Sequence, residues 1–251
     1  DLVIPDISFL VAKRNKVRGL LITHGHEDHV GGIAYLLKEI NVPVYGTKLT
    51  LALADNKLRE QRINKAQTTC VQPGDVIKLG CFTVEFVNVN HSIAGSVALS
   101  IQTPHGRIFH SGDFKIDLTP VAGRPIDLSR IAEIGKEGVE LLLCESTNVE
   151  RQGYTMSETV VGTTLDHLFA ENANRRIIVA TFASNVHRLQ QIIDIAAKYR
   201  RKVALSGRSM LNVADAAAKI GELTVPEGVL IDVEKIKNYF DREIVIVSTG
   251  S

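Results

Sequence analysis

An apolar run, Leu20-Leu21-Ile22-Thr23, continues directly into His24-Gly25-His26-Glu27-Asp28-His29, so three of the 8 histidines and two acids fall within six positions. No other stretch restricts the fold as much. The apolar run reads as a strand over Gly19–Thr23, and the spacing of Ile33, Leu36, Leu37 and Ile40 reads as one face of a helix over Gly32–Ile40. The histidines and acids must therefore leave a strand end in one tight segment that opens a helix. Imidazole and carboxylate are donors that borderline cations such as zinc accept at ~2.0–2.2 Å. A histidine-rich loop can also be a plain exposed segment, but donors packed this densely at a strand end point to a metal site.

Two further donors sit at strand ends. His91, in Asn-Val-Asn-His-Ser, follows an expected strand over Phe82–Val89, and Asp113, in His-Ser-Gly-Asp-Phe-Lys, follows one over Arg107–Ser111. Taken alone, His91 reads as a polar loop residue. His105, His110, His167 and His187 have no matched partner and read as structural.

The remaining pattern divides the chain in two. Strands are expected at Val42–Tyr45 and Val97–Thr103 as well, a helix at Lys48–Gln61, and turns at Pro73-Gly74-Asp75 and Pro104-His105-Gly106. After about residue 147 helix and strand alternate regularly: helix from Ser157 to about Asn172, strand Arg176–Thr181, helix Asn185–Tyr199, strand Lys202–Leu205, helix Asn212–Ile220 and strand Glu243–Ser248. That rhythm predicts a parallel sheet covered on both faces. The boundary falls in Thr147–Tyr154, giving domains of residues 1–147 and 148–251.

Composition excludes several classes. Hydrophobic residues are 45% and charged residues 23%, ordinary for a soluble domain with a core of its own. No apolar run approaches the ~20 residues of a membrane span. The first residues, Asp1-Leu2-Val3-Ile4-Pro5, show no signal peptide, and without an initiating Met the N-terminus is expected to lie upstream. The three cysteines, Cys70, Cys81 and Cys144, read as reduced core thiols of a cytoplasmic protein. Net charge is +1, so any nucleic-acid contact must use local basic surface, for which Arg175-Arg176 and Arg200-Arg201-Lys202 are candidates.

His24-x-His26-x-Asp28-His29, then His91, then Asp113, resembles the metallo-β-lactamase superfamily over residues 1 to about 147. Glu145-Ser146-Thr147, Val-Ala-Thr-Phe-Ala-Ser-Asn-Val-His-Arg and Ala-Leu-Ser-Gly-Arg-Ser-Met are similar to segments of the β-CASP insertion carried by nucleic-acid-processing members. The whole chain, with His-Ser-Gly-Asp-Phe-Lys-Ile-Asp and the terminal Val-Ser-Thr-Gly-Ser, is similar to the bacterial ribonuclease J family. The resemblance implies an α/β fold, an incomplete αββα sandwich with an inserted parallel α/β domain.

It also implies two divalent ions, zinc before manganese. His24, His26 and His91 would hold one, Asp28 and His29 the other, and Asp113 would bridge them. A water activated between the ions would be the nucleophile, with Asp28, Asp113 and Glu145 in the catalytic set and Glu145, after a buried strand, orienting a histidine ligand. Ser184, Asn185, Arg188, Arg208 and Ser209 would contact the RNA backbone or a 5′ phosphate. Ser184-Asn185 equally suits a helix N-cap. The implied activity is 5′-to-3′ exonucleolytic and internal cleavage of RNA bearing a 5′ monophosphate, in a cytoplasmic homo-oligomer (dimer or tetramer) that does not engage a membrane. Family chains carry strands before the metal loop, and after the insertion supply two further histidines, so this sequence reads as a fragment.

Three alternatives stay open: a DNA-processing β-CASP nuclease, a small-molecule metallo-hydrolase using the same loop, and a non-catalytic RNA-binding piece. About 100 residues of α/β after Glu145 are hard to explain for a small ester, and the intact donor set speaks against a vestigial site.

Overall fold

The computed structural model describes residues 3–250. Asp1 and Leu2, part of the reading against a signal peptide, and Ser251, the last residue of Val-Ser-Thr-Gly-Ser, lie outside the described residues. The chain forms two units. One comprises the chain up to His91, Gly95–Ile116 and Arg124–Gly153; the other comprises Ser92–Ala94, Asp117–Gly123 and the chain from Tyr154 on. The second unit thus takes in two short segments that lie before residue 148. Asp117 is one reason: its Oδ2 accepts from the Glu158 N–H at 3.2 Å, at the start of the helix that opens the second unit.

In the first unit a short helix, α1 (Ser8–Ala12), precedes β1 (Leu20–Leu21), α2 (Glu27–Val30), α3 (Ile33–Glu39), β2 (Val44–Gly46), α4 (Lys48–Glu60) and β3 (Thr68–Cys70). Strands β1, β2 and β3 make a parallel three-stranded sheet in that order. Then β4 (Val76–Leu79), β5 (Phe82–Asn88), β6 (Val97–Thr103), β7 (Gly106–His110), α5 (Leu128–Glu137) and β8 (Leu141–Leu143) follow. The five strands form a second sheet, antiparallel from β4 to β7 with β8 added in parallel.

Period-two alternation sorts the side chains into layers. On β5, Val84 and Phe86 turn inward with Val97 and Leu99 of β6 and meet Leu21 and Tyr45 from the other sheet. Val87 and Val89 turn the opposite way with Ala98 and pack on Ile131 and Ile134 of α5. On the far side of the small sheet, Val44 and Ile22 pack under Ile33, Ala34 and Leu37 of α3 and Ala54 and Leu58 of α4. The layers run helix, sheet, sheet, helix, the sandwich that the resemblance implied.

Helix α5 has no counterpart in the sequence reading. It is short, but its face is well defined: Leu128, Ile131 and Ile134 recur at helical spacing, and the Asp127 carboxylate accepts from the Arg130 N–H at 2.9 Å to cap it. Arg130 then forks onto Glu85 of β5, Nε to Oε1 at 2.7 Å and Nη2 to Oε2 at 2.9 Å. That bidentate contact holds the Glu85 carboxyl below its ordinary range.

In the second unit α6 (Glu158–Glu171), β9 (Ile177–Thr181), α7 (Val186–Lys198), β10 (Lys202–Ser206), α8 (Arg208–Lys219), β11 (Leu230–Ile231) and β12 (Ile244–Thr249) follow in order. Their sheet is wholly parallel, ordered β11-β10-β12-β9. Helix α8 begins four residues earlier than Asn212, because Gly207 at φ 107° turns the chain and Met210 and Val213 already face the core. Cover is complete over Val203, Ala204 and Leu205 of β10, but Ile178 of β9 and Phe182 just beyond it are 67% and 72% exposed. The sheet is therefore open on one face at this edge.

Two further expectations fail for reasons of position. Cys70, Cys81 and Cys144 are free but exposed, not core thiols: Cys70 ends edge strand β3, Cys81 follows the Gly80 turn between β4 and β5, and Cys144 follows edge strand β8. Leu141, Leu142 and Leu143 of β8 are themselves exposed, so the strand before Glu145 is not buried. Of the basic runs, Arg201 is buried, donating to the carbonyls of Arg175 at 2.8 Å and Asn172 at 2.7 Å, and Arg176 pairs with Asp241, while Arg175, Arg176 and Arg200 stay exposed. No helix among the described residues is long and apolar enough to cross a membrane.

Candidate metal centre

Strand β1 ends at Leu21, and Thr23 and His24 are both buried beyond it. The Val97 N–H donates to the Thr23 carbonyl at 3.0 Å, tying this exit to the start of β6. His26 precedes α2, whose four residues carry Glu27, Asp28 and His29. Lys57 of α4 reaches back to Glu27 at 2.9 Å and fixes α2 from outside. His91 comes from the loop after β5, and its backbone is pinned close by: the Thr47 hydroxyl donates to the Gly95 carbonyl at 2.7 Å.

Asp113 comes from the loop after β7. Gly112 before it adopts φ 58°, and a Cβ there would lie 2.7 Å from the Val97 carbonyl, so only glycine lets the loop approach this closely. The Glu145 carboxylate accepts from the N–H of Phe114 at 3.3 Å and of Thr147 at 2.9 Å. One of these bonds thus goes to the backbone beside Asp113 and the other to its own segment, and its charge reaches His91.

Four of these residues converge: ligand atoms of His24, His26, His91 and Asp113 all lie within 4.8 Å of one another. His26 Nδ1 is 3.1 Å from His91 Nε2. Asp113 Oδ2 is 3.7 Å from Nε2 of His24 and 3.7 Å from Nε2 of His91. Donors ~2.1 Å from one ion at tetrahedral corners sit about 3.4 Å apart, so these separations match one coordination sphere. His24 Nε2 is buried without a hydrogen-bond partner, while its Nδ1 meets the Thr23 hydroxyl at 3.1 Å. A buried ring nitrogen aimed at a carboxylate beyond hydrogen-bond range fits a cation between them.

The other Asp113 oxygen faces elsewhere. Oδ1 lies 3.6 Å from His29 Nε2, which is 3.5 Å from Asp28 Oδ2. Asp28 is the exposed member of the group, at 77%. The sequence-derived donors thus fall into two sets that share Asp113.

Electrostatics favour ligation. Burial, then the neighbouring histidines, push His24 down to about 2. Burial also pushes His91 down to about 4 and lowers His26, against the pull of Asp28 and Asp113. These rings are held neutral, the form that binds a metal. Burial alone would raise Glu145, but the N–H groups of Thr147 and Phe114 and the adjacent His91 outweigh it and hold the carboxyl below its ordinary value.

The five expected substrate contacts divide differently. Asn185 is buried and caps α7, its Oδ1 accepting from the Arg188 N–H at 3.0 Å. Arg188 is paired, Nε and Nη2 donating to Glu158 Oε2 at 3.0 and 2.6 Å. Ser184 is half-buried just before α7. Arg208 and Ser209 are exposed at the start of α8, which follows β10 at the C-terminal end of the parallel sheet. Thr23, Gly112 and Thr47 were missed in the sequence. Their only signals are small or hydroxylated residues beside the donor segments.

The family model described as "Metallo-beta-lactamase superfamily" matches residues 4–130, and that described as "Ribonuclease J, beta-CASP domain" matches residues 174–251. Among curated relatives, "Ribonuclease J" of Synechocystis sp. is 45% identical over all of this chain and 40% of its own length. "Ribonuclease J" of Helicobacter pylori is 44% identical, with 37% of its length covered, and "Ribonuclease J2" of Bacillus subtilis 42%, with 45% covered. The chain thus spans less than half the length of these relatives. A crystal structure of a protein of unknown function from Enterococcus faecalis superposes with TM-score 0.64 at 21% identity, covering 93% of this chain and 58% of that one, a likeness of fold alone.

Proposed function

Because the chain belongs to the metallo-beta-lactamase superfamily, we propose that it is part of a metal-dependent ribonuclease that hydrolyses RNA phosphodiester bonds, inward from 5′-monophosphate ends and internally. The observation that carries the reading is Asp113, whose Oδ2 faces His24 and His91 while its Oδ1 faces His29. Relatives named Ribonuclease J that match the whole chain support the choice of substrate.

His24, His26, His91 and Asp113 would hold one divalent ion, and Asp28, His29 and Asp113 a second. Zinc is the first choice for this nitrogen-rich set and manganese the second. Such ions supply an acidified water and neutralise charge developing on phosphorus. The protein's part is to hold His24, His26 and His91 neutral and the whole donor set fixed. Glu145 holds the backbone just after Asp113 through the Phe114 N–H, and Gly112 lets that loop close on Val97. Arg208 and Ser209 offer phosphate contacts at the start of α8, and Ser184, Asn185 and Arg188 line the start of α7.

In this reading residues 1–147 are a partial metallo-β-lactamase domain and 148–251 a partial β-CASP domain. The parent protein is a cytoplasmic homo-oligomer. The test is cleavage of 5′-monophosphorylated RNA, with and without chelator and after return of zinc or manganese. Metal-restored cleavage, stronger than on the same RNA with a 5′ triphosphate, supports the reading. A metal-replete protein that leaves RNA intact and cleaves DNA or a small ester overturns it.

A further inference from the structure

Among the donors, His24 alone is completely buried, and both of its ring nitrogens are accounted for by position. Nε2 is aimed at Asp113 and has no hydrogen-bond partner. Nδ1 lies 3.1 Å from the hydroxyl of Thr23. Thr23 is itself 6% exposed and held from two sides. Its carbonyl takes the Val97 N–H at 3.0 Å, and its side chain abuts Gly112, where a Cβ would come within 3.2 Å of Thr23 Cβ. The backbone and Cβ that carry the hydroxyl are thus held beside the ring.

We infer that Thr23 is a positioning residue for the metal centre: its hydroxyl accepts the Nδ1–H of His24, and so selects the tautomer whose Nε2 lone pair faces Asp113 and the ion. A buried imidazole has one donor and one acceptor nitrogen, and which is which follows the partner of the nitrogen that does not bind metal. Bulk water does not reach that nitrogen, because His24 is 0% exposed. The same threonine touches Gly112, so it spaces His24 from the loop that delivers Asp113. This inference rests on the metal-centre reading above but makes no use of RNA.

The experiment compares wild-type protein with Thr23→Val and Thr23→Ser. Zinc affinity is measured by chelator competition, the visible spectrum is taken with cobalt(II), and unfolding is followed without metal. Losing a supporting partner weakens metal binding by about 10–100-fold. That loss is expected in Thr23→Val, with an altered cobalt spectrum, while Thr23→Ser stays close to wild type. Equal affinities in all three, or equal losses in both variants, overturn the inference, since the second result would assign the effect to the methyl group. Should Thr23→Val not fold, the wild type decides alone. With zinc bound, nitrogen–proton correlation NMR must find a slowly exchanging proton on His24 Nδ1, and its absence overturns the inference. A wild type that binds no zinc would instead remove the metal centre itself, a separate result.

Discussion

His26 Nδ1 and His91 Nε2 lie 3.1 Å apart although 65 residues separate them in the chain. The two nitrogens are at hydrogen-bond distance when one of them carries a proton, but both rings charged at once would repel, and His26 helps burial hold His91 low. The arrangement is explained if both lone pairs point to one cation. Replacing His91 by Ala should therefore weaken zinc binding by more than the ~10–100-fold typical of losing only a supporting partner, with unfolding of the metal-free protein little changed or improved. Chelator competition checks the first and thermal unfolding the second; unchanged affinity would show that His91 is not a ligand.

Acid should destabilise the metal-free protein before its carboxylates titrate. His24 and His91 are held at about 2 and about 4 in the fold, against about 6.5 when unfolded. Above pH 6.5 both states are neutral and the difference vanishes. Below it the unfolded chain takes up protons that the native state refuses, so stability falls as pH drops from 6.5 through about 4. The slope is at most about 1.4 kcal/mol per pH unit for each histidine. Urea midpoints measured between pH 7 and 4.5 in chelator should decline, and excess zinc should flatten the upper part of the curve. A flat metal-free profile would contradict the account.

Gly112→Ala should disturb the centre from a distance. It places a side chain at φ 58° and 2.7 Å from the Val97 carbonyl, a strain of about 1–3 kcal/mol. The loop must back away, carrying Asp113 with it, so lower stability and weaker zinc binding should appear together. Lower stability with unaltered zinc affinity would mean that Asp113 is placed by Glu145 alone.

Much of the centre was legible in the sequence because its donors are local: His24 to His29 lie on one exit from one strand, and His91 and Asp113 each follow a strand with clear alternation. What could not be read depends on packing between segments. Helix α5 is anchored by Arg130 on Glu85, a pairing across 45 residues with no local signal. Arg201 looks like part of a basic surface run, yet it satisfies the carbonyls of Asn172 and Arg175 inside the second unit. The cysteines look like core residues by type, but edge strands and a turn place them at the surface.

The two arginines expected to meet RNA should part company. Arg188 holds Glu158, which is only 14% exposed, and removing a hydrogen-bonded charge partner there costs about 1.5–3 kcal/mol. Arg188→Met should thus lower the unfolding midpoint. Arg208 is exposed at the start of α8, so Arg208→Met should leave stability alone. It should weaken RNA binding across sequences and reduce the salt dependence by about one phosphate contact. Binding titrations at several salt concentrations check this, and unchanged RNA affinity in Arg208→Met would remove that residue from the interface.

The most direct measurement is metal content by elemental analysis after dialysis against zinc, for wild type, Asp28→Ala and Asp113→Ala. With Asp113 facing both His24 and His29, the account predicts about two equivalents in the wild type, about one in Asp28→Ala and at most about one, held by the three histidines, in Asp113→Ala. Full metal content in Asp113→Ala would contradict it, because the shared carboxylate would then hold neither ion.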